Sequence, residues 1–298
     1  MNQSNTVEKK QTTQPKMIKR KKTFNKMSVI KGIIYFFLVL LVIVCFIPFY
    51  MMIINATRSN SEILRGFTLI PSNALLDNYE SLNSYISIWI GFWNSFIIAA
   101  AVTILNSYFS ALTAYALVVF EFKWKNVIFV TFIIMMMVPG QLGLIGLYDL
   151  ASSFNMLDTY WPLIIPSIAA PFTVFFFRQF LITTMPMSIL ESGRIDGAGD
   201  FYMFHRLVIP ILSPAIATMG IFTFIGSWNN FLLPLVIIRS PRLYTIPIMI
   251  RQLQGSPVAS NMGAIYLGIA ISVVPIMIAF LFLSKYIINS ITAGAVKE

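Results

Sequence analysis

The 298-residue chain is 57% apolar and 11% charged, with a mean hydropathy of +0.79, a composition foreign to soluble globular domains. Of its formal charge of +10, residues 1–31 hold nine Lys/Arg against Glu8, so the remainder is nearly neutral and carries no distributed nucleic-acid footprint. A lone Cys45 excludes an intrachain disulfide, and a lone His205 argues against a histidine-based metal centre.

A bilayer span needs about 20 apolar residues, because a charge at its centre costs about 2.5 kcal/mol or more. In chain order, six charge-free windows meet that length: Gly32–Thr57, Ser81–Phe120, Asn126–Tyr148, Thr159–Phe177, Leu207–Ile238 and Gln252–Ser284. Trimming the three longest at Gly, Pro, Asn and Ser clusters predicts cores over 92–118, 213–237 and 262–284. The first window is too long for a signal-peptide core and lacks a small-x-small cleavage site. An even count puts both termini on one side. That side holds sixteen of the 21 Lys/Arg, including the cluster Lys19, Arg20, Lys21 and Lys22, so the positive-inside rule predicts cytoplasmic termini. The basic tail orients the first span and meets anionic lipid rather than nucleic acid. Pro48, Pro139, Pro166, Pro171, Pro214, Pro234 and Pro275 predict kinked helices, built around a pathway or simply for packing.

The expected architecture is therefore an all-α membrane protein of six transmembrane helices. Residues 1–31 form a basic tail, 32–288 the membrane domain and 289–298 a second tail. The hydrophilic loop at 183–210 separates the fourth span from the fifth.

That loop predicts two short helices around a turn. Pro186 suits a first helical position, Ser188 and Glu191 match a capping box, and Asp196-Gly197 break the first helix with a positive φ expected at the glycine. Beyond it Phe201, Phe204 and Val208 recur at helical spacing, an apolar stripe suited to a groove. The residues alone leave two homes for such a stripe: the underside of its own bundle, or a partner protein.

Glu191-Ser192-Gly193-Arg194-Ile195-Asp196-Gly197-Ala198, followed by Phe204 and by Leu207-Val208-Ile209-Pro210, resembles the EAA signature of the binding-protein-dependent permeases of bacterial ABC importers. Ser192-Gly193 depart from the Ala-Ala of that pattern, lowering helix propensity by about 1 kcal/mol at the glycine. Further patches are similar to the sugar-importer branch, with its maltose-type and glycerol-phosphate-type second permeases: Tyr115-Ala116-Leu117, Leu157-Asp158-Thr159, Trp228-Asn229-Asn230, Tyr244-Thr245-Ile246-Pro247 and Ala293-Gly294-Ala295-Val296-Lys297. The resemblance implies that Glu191, Ser192, Gly193, Asp196, Gly197, Ala198, Phe201, Phe204 and Pro210 form a coupling element docked on a cytoplasmic ATPase dimer. Glu191 would cap the first helix, and Phe201 and Phe204 would fill the ATPase groove. It also implies a homologous second permease, an extracytoplasmic solute-binding protein, a carbohydrate substrate and a bacterial cytoplasmic membrane. The sequence has no Gly-x-x-x-x-Gly-Lys-Ser/Thr loop, so the implied ATP is bound and hydrolysed by the partner, and the chain itself is expected to hold no cofactor or metal and to be no enzyme.

For the substrate pathway the candidates are Thr223, Ser227, Trp228, Asn229 and Asn230. Thr223, Ser227, Asn230 and Pro234 fall on one helical stripe that Gly220 extends. Hydroxyls, an amide and an indole suit a sugar. The same groups also suit interhelical contacts, and Trp228 an interfacial belt. Two other stripes, Asn106, Ser110 and Thr113 in the second span and Gly268, Ser272, Pro275 and Ala279 in the sixth, read as packing. An intramembrane aspartyl protease is excluded because a whole span separates Asp149 from Asp200, roughly 30 Å. An ion-coupled secondary transporter is the alternative class, but none of the six windows holds an ionisable group for proton coupling.

Overall fold

A computed structural model describes residues 26–255 and 261–295, with side chains over 29–255 and 261–281. Most of the basic tail, including Lys19 to Lys22, and Lys297 lie outside the described residues. The described backbone is helical and contains no strand. Its helices are α1 (Lys26–Ala56), α2 (Asn60–Leu64), α3 (Leu75–Tyr85), α4 (Ile88–Val119), α5 (Lys125–Met137), α6 (Gly143–Ser153), α7 (Trp161–Ile164), α8 (Pro171–Thr184), α9 (Met187–Ile195), α10 (Asp200–Met203), α11 (Ile209–Trp228), α12 (Leu232–Ile237), α13 (Ile246–Gln254) and α14 (Met262–Ala295).

Five helical stretches are long and apolar enough to cross a membrane: Val29–Ala56, Ile88–Val119, Trp161–Thr184, Asp200–Trp228 and Met262–Leu281. The third expected span is not straight. It breaks at Val138 and Pro139 into α5 and α6, bent by 89°. Proline at that point removes a backbone donor and disfavours helix in the residue before it.

Residues 26–49 of α1 form a unit by themselves, and from Val29 to Phe49 every side chain is exposed. An apolar helix so exposed suits hydrocarbon. In the second unit, from Tyr50 onward, α4 is central, packed against α8 and α11, while α14 packs on α11 and α3. α14 continues as helix through Ala295, so the backbone of residues 289–295 is helical.

The fourth and fifth spans differ from expectation at their ends. α8 runs to Thr184 and so takes in Arg178, whose guanidinium lies 3.8 Å from the centre of the Phe129 ring. The fifth span starts at Asp200 and stops at Trp228, short of the predicted 237. Between α10 and α11 the backbone passes through a π turn, Phe204–Val208, in which Ile209 N donates to Phe204 O. Pro210 next to it cannot donate and its ring crowds the preceding turn, the usual setting for such a bulge.

Small and amide residues fix the close contacts. The Asn94 amide donates to the carbonyls of Arg242 and Tyr244, and Ser95 Oγ accepts from Ile246 N, which ties the segment before α13 to the start of α4. Gly268 approaches Leu82 and Leu253 as a packing residue should, and Ser272 accepts a side-chain bond described below. Pro275 and Ala279 instead line an open groove.

Candidate functional site

The segment 186–210 sits at the end of α4 that carries Tyr115 and Phe120. α9 ends in a Schellman arrangement: Ala198 N donates to Gly193 O at 2.9 Å and Gly197 N to Arg194 O at 3.1 Å. Gly197 has φ +79, as the Asp-Gly pair predicted, and a Cβ added there would meet nothing within 4 Å. The start of α9 differs from expectation. Pro186 is the N-cap rather than the first helical residue, and no side chain caps the helix. Ser188 lies inside α9, where its carbonyl accepts from Ser192 Oγ, so the Ser188–Glu191 capping box does not form and Glu191 is exposed. A capping box does form at Ser59 and Glu62, where the Ser-x-x-Glu spacing was equally legible. Its bonds with Ser59 and Ser72 hold the Glu62 carboxyl below the ordinary range.

The predicted Phe201, Phe204 and Val208 stripe divides. Phe201 is 64% exposed, whereas Phe204 and Val208 are fully buried in the chain's own core with Leu190, Met203, Leu181 and Leu212. Phe204 therefore does not project toward a partner. Helical spacing is blind to whether one turn faces inward and the next outward: the division falls between Phe201 and Phe204, ahead of the π turn, which keeps Phe204 and Val208 on one buried side. The outward surface consists of Ile195 at 86% exposure, Phe201 and Tyr202, with Met187 and Ile189. Asp196 and Gly197 are exposed at the turn, Gly193 and Ala198 half-buried, and Pro210 exposed at the second position of α11. A Cβ on Gly193 would lie 3.0 Å from Met203 Sδ, which explains the small residue at that place. Arg194 pairs with Asp200 at 3.3 Å, both half exposed.

The substrate candidates are also dispersed. Trp228 is 1% exposed: its Nε1 donates to Ser272 O at 3.0 Å and its ring packs on Phe92 and Phe224. The indole pins α11 to α14. Because α11 ends at Trp228, the stripe through Thr223 and Ser227 does not run on to Asn230 and Pro234. Thr223 and Ser227 are half-buried on α11, and Asn229 is exposed at its C-cap.

Asn230 enters a cleft of about 480 Å³ with Gly140, Gln141, Leu144, Pro166 and Leu233. Three helix interruptions meet there: the α5–α6 bend, the turn at Ile165–Ser167 and the α11–α12 gap. Asn230 Oδ1 accepts from Leu233 N at 3.4 Å. Gln141, which the sequence reading passed over, supplies a second amide; an amide directly after Pro-Gly inside an apolar window was the available signal. The larger groove, about 860 Å³ between α4, α11 and α14, is walled by Phe92, Trp93, Phe96, Ile104, Phe224 and Ile278. Its walls are too apolar for a hydroxyl-rich solute.

At the opposite end of α4, Asp158 adopts φ +59, and its carboxylate accepts from Arg239 N, Ser240 N and Ser240 Oγ. These bonds, the Ser240 hydroxyl first, hold the Asp158 carboxyl below the ordinary range.

Residues 108–292 match the family described as binding-protein-dependent transport system inner membrane component. The chain belongs to this family. It is thus a multi-pass inner-membrane component of a transport system and not itself an enzyme. It is 35% identical over 274 residues to the arabinooligosaccharides transport system permease protein AraQ of Bacillus subtilis (strain 168), covering 91% of this chain and 97% of that one. It is 28% identical over 264 residues to the sn-glycerol-3-phosphate transport system permease protein UgpE of Yersinia pestis bv. Antiqua (strain Antiqua), covering 85% and 93%. Its fold is shared, at a TM-score of 0.76 and 18% identity, with a chain of a bacterial ABC transporter involved in the import of the acidic polysaccharide alginate, over 90% of this chain and 100% of that one.

Proposed function

We propose that this chain is a permease subunit of an ATP-driven importer of a carbohydrate, most simply an oligosaccharide of the kind AraQ's name states. A second, homologous permease completes the pathway, a solute-binding protein delivers the substrate, and a dimer of cytoplasmic ATPases binds and hydrolyses the ATP. The termini are cytoplasmic, because Lys123, Lys125, Arg178, Arg194 and Arg206 gather toward the α9–α10 end while only Arg58, Arg65, Arg239, Arg242 and Arg251 belong to the other.

The observation that carries this reading is the α9–α10 handle. Its inner side is rooted in the bundle through Leu190, Met203 and Phe204, and its outer side leaves Ile195, Phe201 and Tyr202 uncovered. An apolar outer face on a rooted element suits docking of an ATPase subunit whose closure drives alternating access. Asn230 and Gln141 contribute amide contacts to the substrate, since the interrupted helices around them free backbone groups and open space for hydroxyls. Uptake of labelled arabinooligosaccharides by cells lacking the chain, with and without its restoration, tests the substrate. Labelling of Ser192→Cys in a Cys45→Ser background only from outside the cell would sink the orientation and the coupling with it.

A further inference from the structure

Phe204 lies between two tyrosines of α4. Its ring centre is 5.9 Å from that of Tyr108 and 5.5 Å from that of Tyr115, and Phe204 itself is fully buried. Seven residues apart, the tyrosines occupy one face of α4, two turns from each other. Each also reaches the coupling segment through its hydroxyl. Tyr115 Oη donates to Asp200 O at 3.4 Å, and Tyr108 Oη lies 3.3 Å from His205 Nε2. His205 Nδ1 in turn is 2.8 Å from Phe201 O, and its ring sits 4.4 Å from the exposed Phe201 ring. With Nδ1 protonated and donating to Phe201 O, Nε2 accepts from the tyrosine, so both bonds are satisfied by one neutral tautomer.

We propose that Tyr108, Tyr115 and His205 are positioning residues that lock α4 to α10, so that a push on Phe201 moves α4 as well as α11. The proposal rests on the coupling role argued above and adds its route. Without the lock, the π turn at Phe204–Val208 would be a compliant joint, because bulged turns give up regular ladder bonds. The lock bridges that joint: it attaches the residues before and within it to a neighbouring span of 32 residues. α4 also carries Asn94 and Ser95, which hold the segment before α13 at its far end. The displacement of the handle is thereby delivered across the full length of α4 to the opposite face of the bundle.

The test uses the assembled importer in proteoliposomes, measuring ATP hydrolysed per solute transported. Tyr108→Phe with Tyr115→Phe keeps both rings and removes both hydroxyl bonds. The expected result is retained ATPase co-purification and an ATP-to-solute ratio raised about fivefold, in keeping with the loss of two such bonds. His205→Leu should raise the ratio likewise, and His205→Gln, which can still bond Tyr108, should restore it. An unchanged ratio in the double variant overturns the proposal. No ATP-dependent uptake by the unaltered complex would instead refute the transport reading beneath it. Should the double variant fail to assemble, spin labels at Thr113→Cys and at Gly199→Cys, the N-cap of α10 where an added side chain meets nothing within 4 Å, decide the matter in a complex whose native tyrosines are kept and whose Cys45 is replaced by serine. Their separation should stay constant between nucleotide-free and ATP-bound states, and a change of several ångströms would disprove the lock.

Discussion

The side-chain amide of Asn106 donates to the carbonyl of Ser167 at 2.6 Å, at the point where the backbone has left the turn Ile165–Ser167 and has not yet entered α8 at Pro171. A half-buried carbonyl between two helical segments has no ladder donor, and leaving it unpaired is costly in lipid. Asn106, 1% exposed on the neighbouring α4, supplies the missing group. Asn106→Leu should therefore lower stability by about 1–3 kcal/mol. Thermal unfolding in detergent would show it, and an unmoved midpoint would mean that Ser167 finds another donor.

Gly263 marks a crossing closed by backbone and a buried amide. A Cβ there would stand 2.5 Å from Arg58 O and from Asn78 Nδ2, while Asn78 itself is 2% exposed and bonded to Ala56 O and Arg58 O. Neither backbone nor a doubly bonded amide can give way. Gly263→Ala should destabilise by roughly 1–3 kcal/mol. Gly226→Ala, whose added methyl meets nothing within 4 Å, should not, and the two compared in one unfolding series make the check.

At Gly197 the expected effect is conformational, since space is free but φ is +79. Gly197→Val should strain the turn by about 1–3 kcal/mol, reduce uptake severalfold and leave membrane insertion intact. Gly197→Asn, which tolerates the left-handed region, should be milder. Equal uptake for Val and glycine would show the turn to be irrelevant to coupling.

Asp158 predicts a pH dependence. Its carboxyl is held below the ordinary range by Ser240 and Arg239, so its ionised form contributes stability above the unfolded-state value. That contribution disappears as pH falls through the lowered folded-state value. Unfolding midpoints of the parent and Asp158→Asn should differ at neutral pH and converge in acid; a gap that persists at the lowest pH would rule out the carboxylate as its source.

Trp228 and Asn230 separate packing from pathway. Trp228→Phe keeps the aromatic contacts and loses the bond to Ser272 O, so it should cost about 0.5–1.5 kcal/mol of stability and little uptake at saturating solute. Asn230→Leu should lower uptake with assembly preserved. If Asn230→Leu instead disrupts the complex, the amide belongs to packing.

Much of the architecture was legible because lipid imposes one strong rule. Charges lie near the ends of most spans, and each of the five long helical stretches falls mostly within a charge-free window. The Asp196-Gly197 turn was equally legible, because a left-handed residue after a helix has a local chemical cause. The Asn106 stripe read as packing, and its amide and the Ser110 hydroxyl are indeed buried. The Ser188–Glu191 capping box failed because Ser-x-x-Glu caps only where the serine falls one residue before the helix, and Pro186 already held that place.

The amino-acid order alone set the membrane class, the turn at Asp196-Gly197 and the handle between α8 and α11. These follow from transfer energies and from backbone chemistry, which act residue by residue. Which side of each helix turns inward was decided only by packing. Periodicity put Phe204 beside Phe201 and strung Asn230 below Ser227, but packing turned Phe204 into the core while Phe201 stayed outside, and the end of α11 at Trp228 carried Asn230 into the cleft. A break that shifts the register by a single residue turns a helix face by about 100°, and such a shift is fixed by neighbours far apart in the chain.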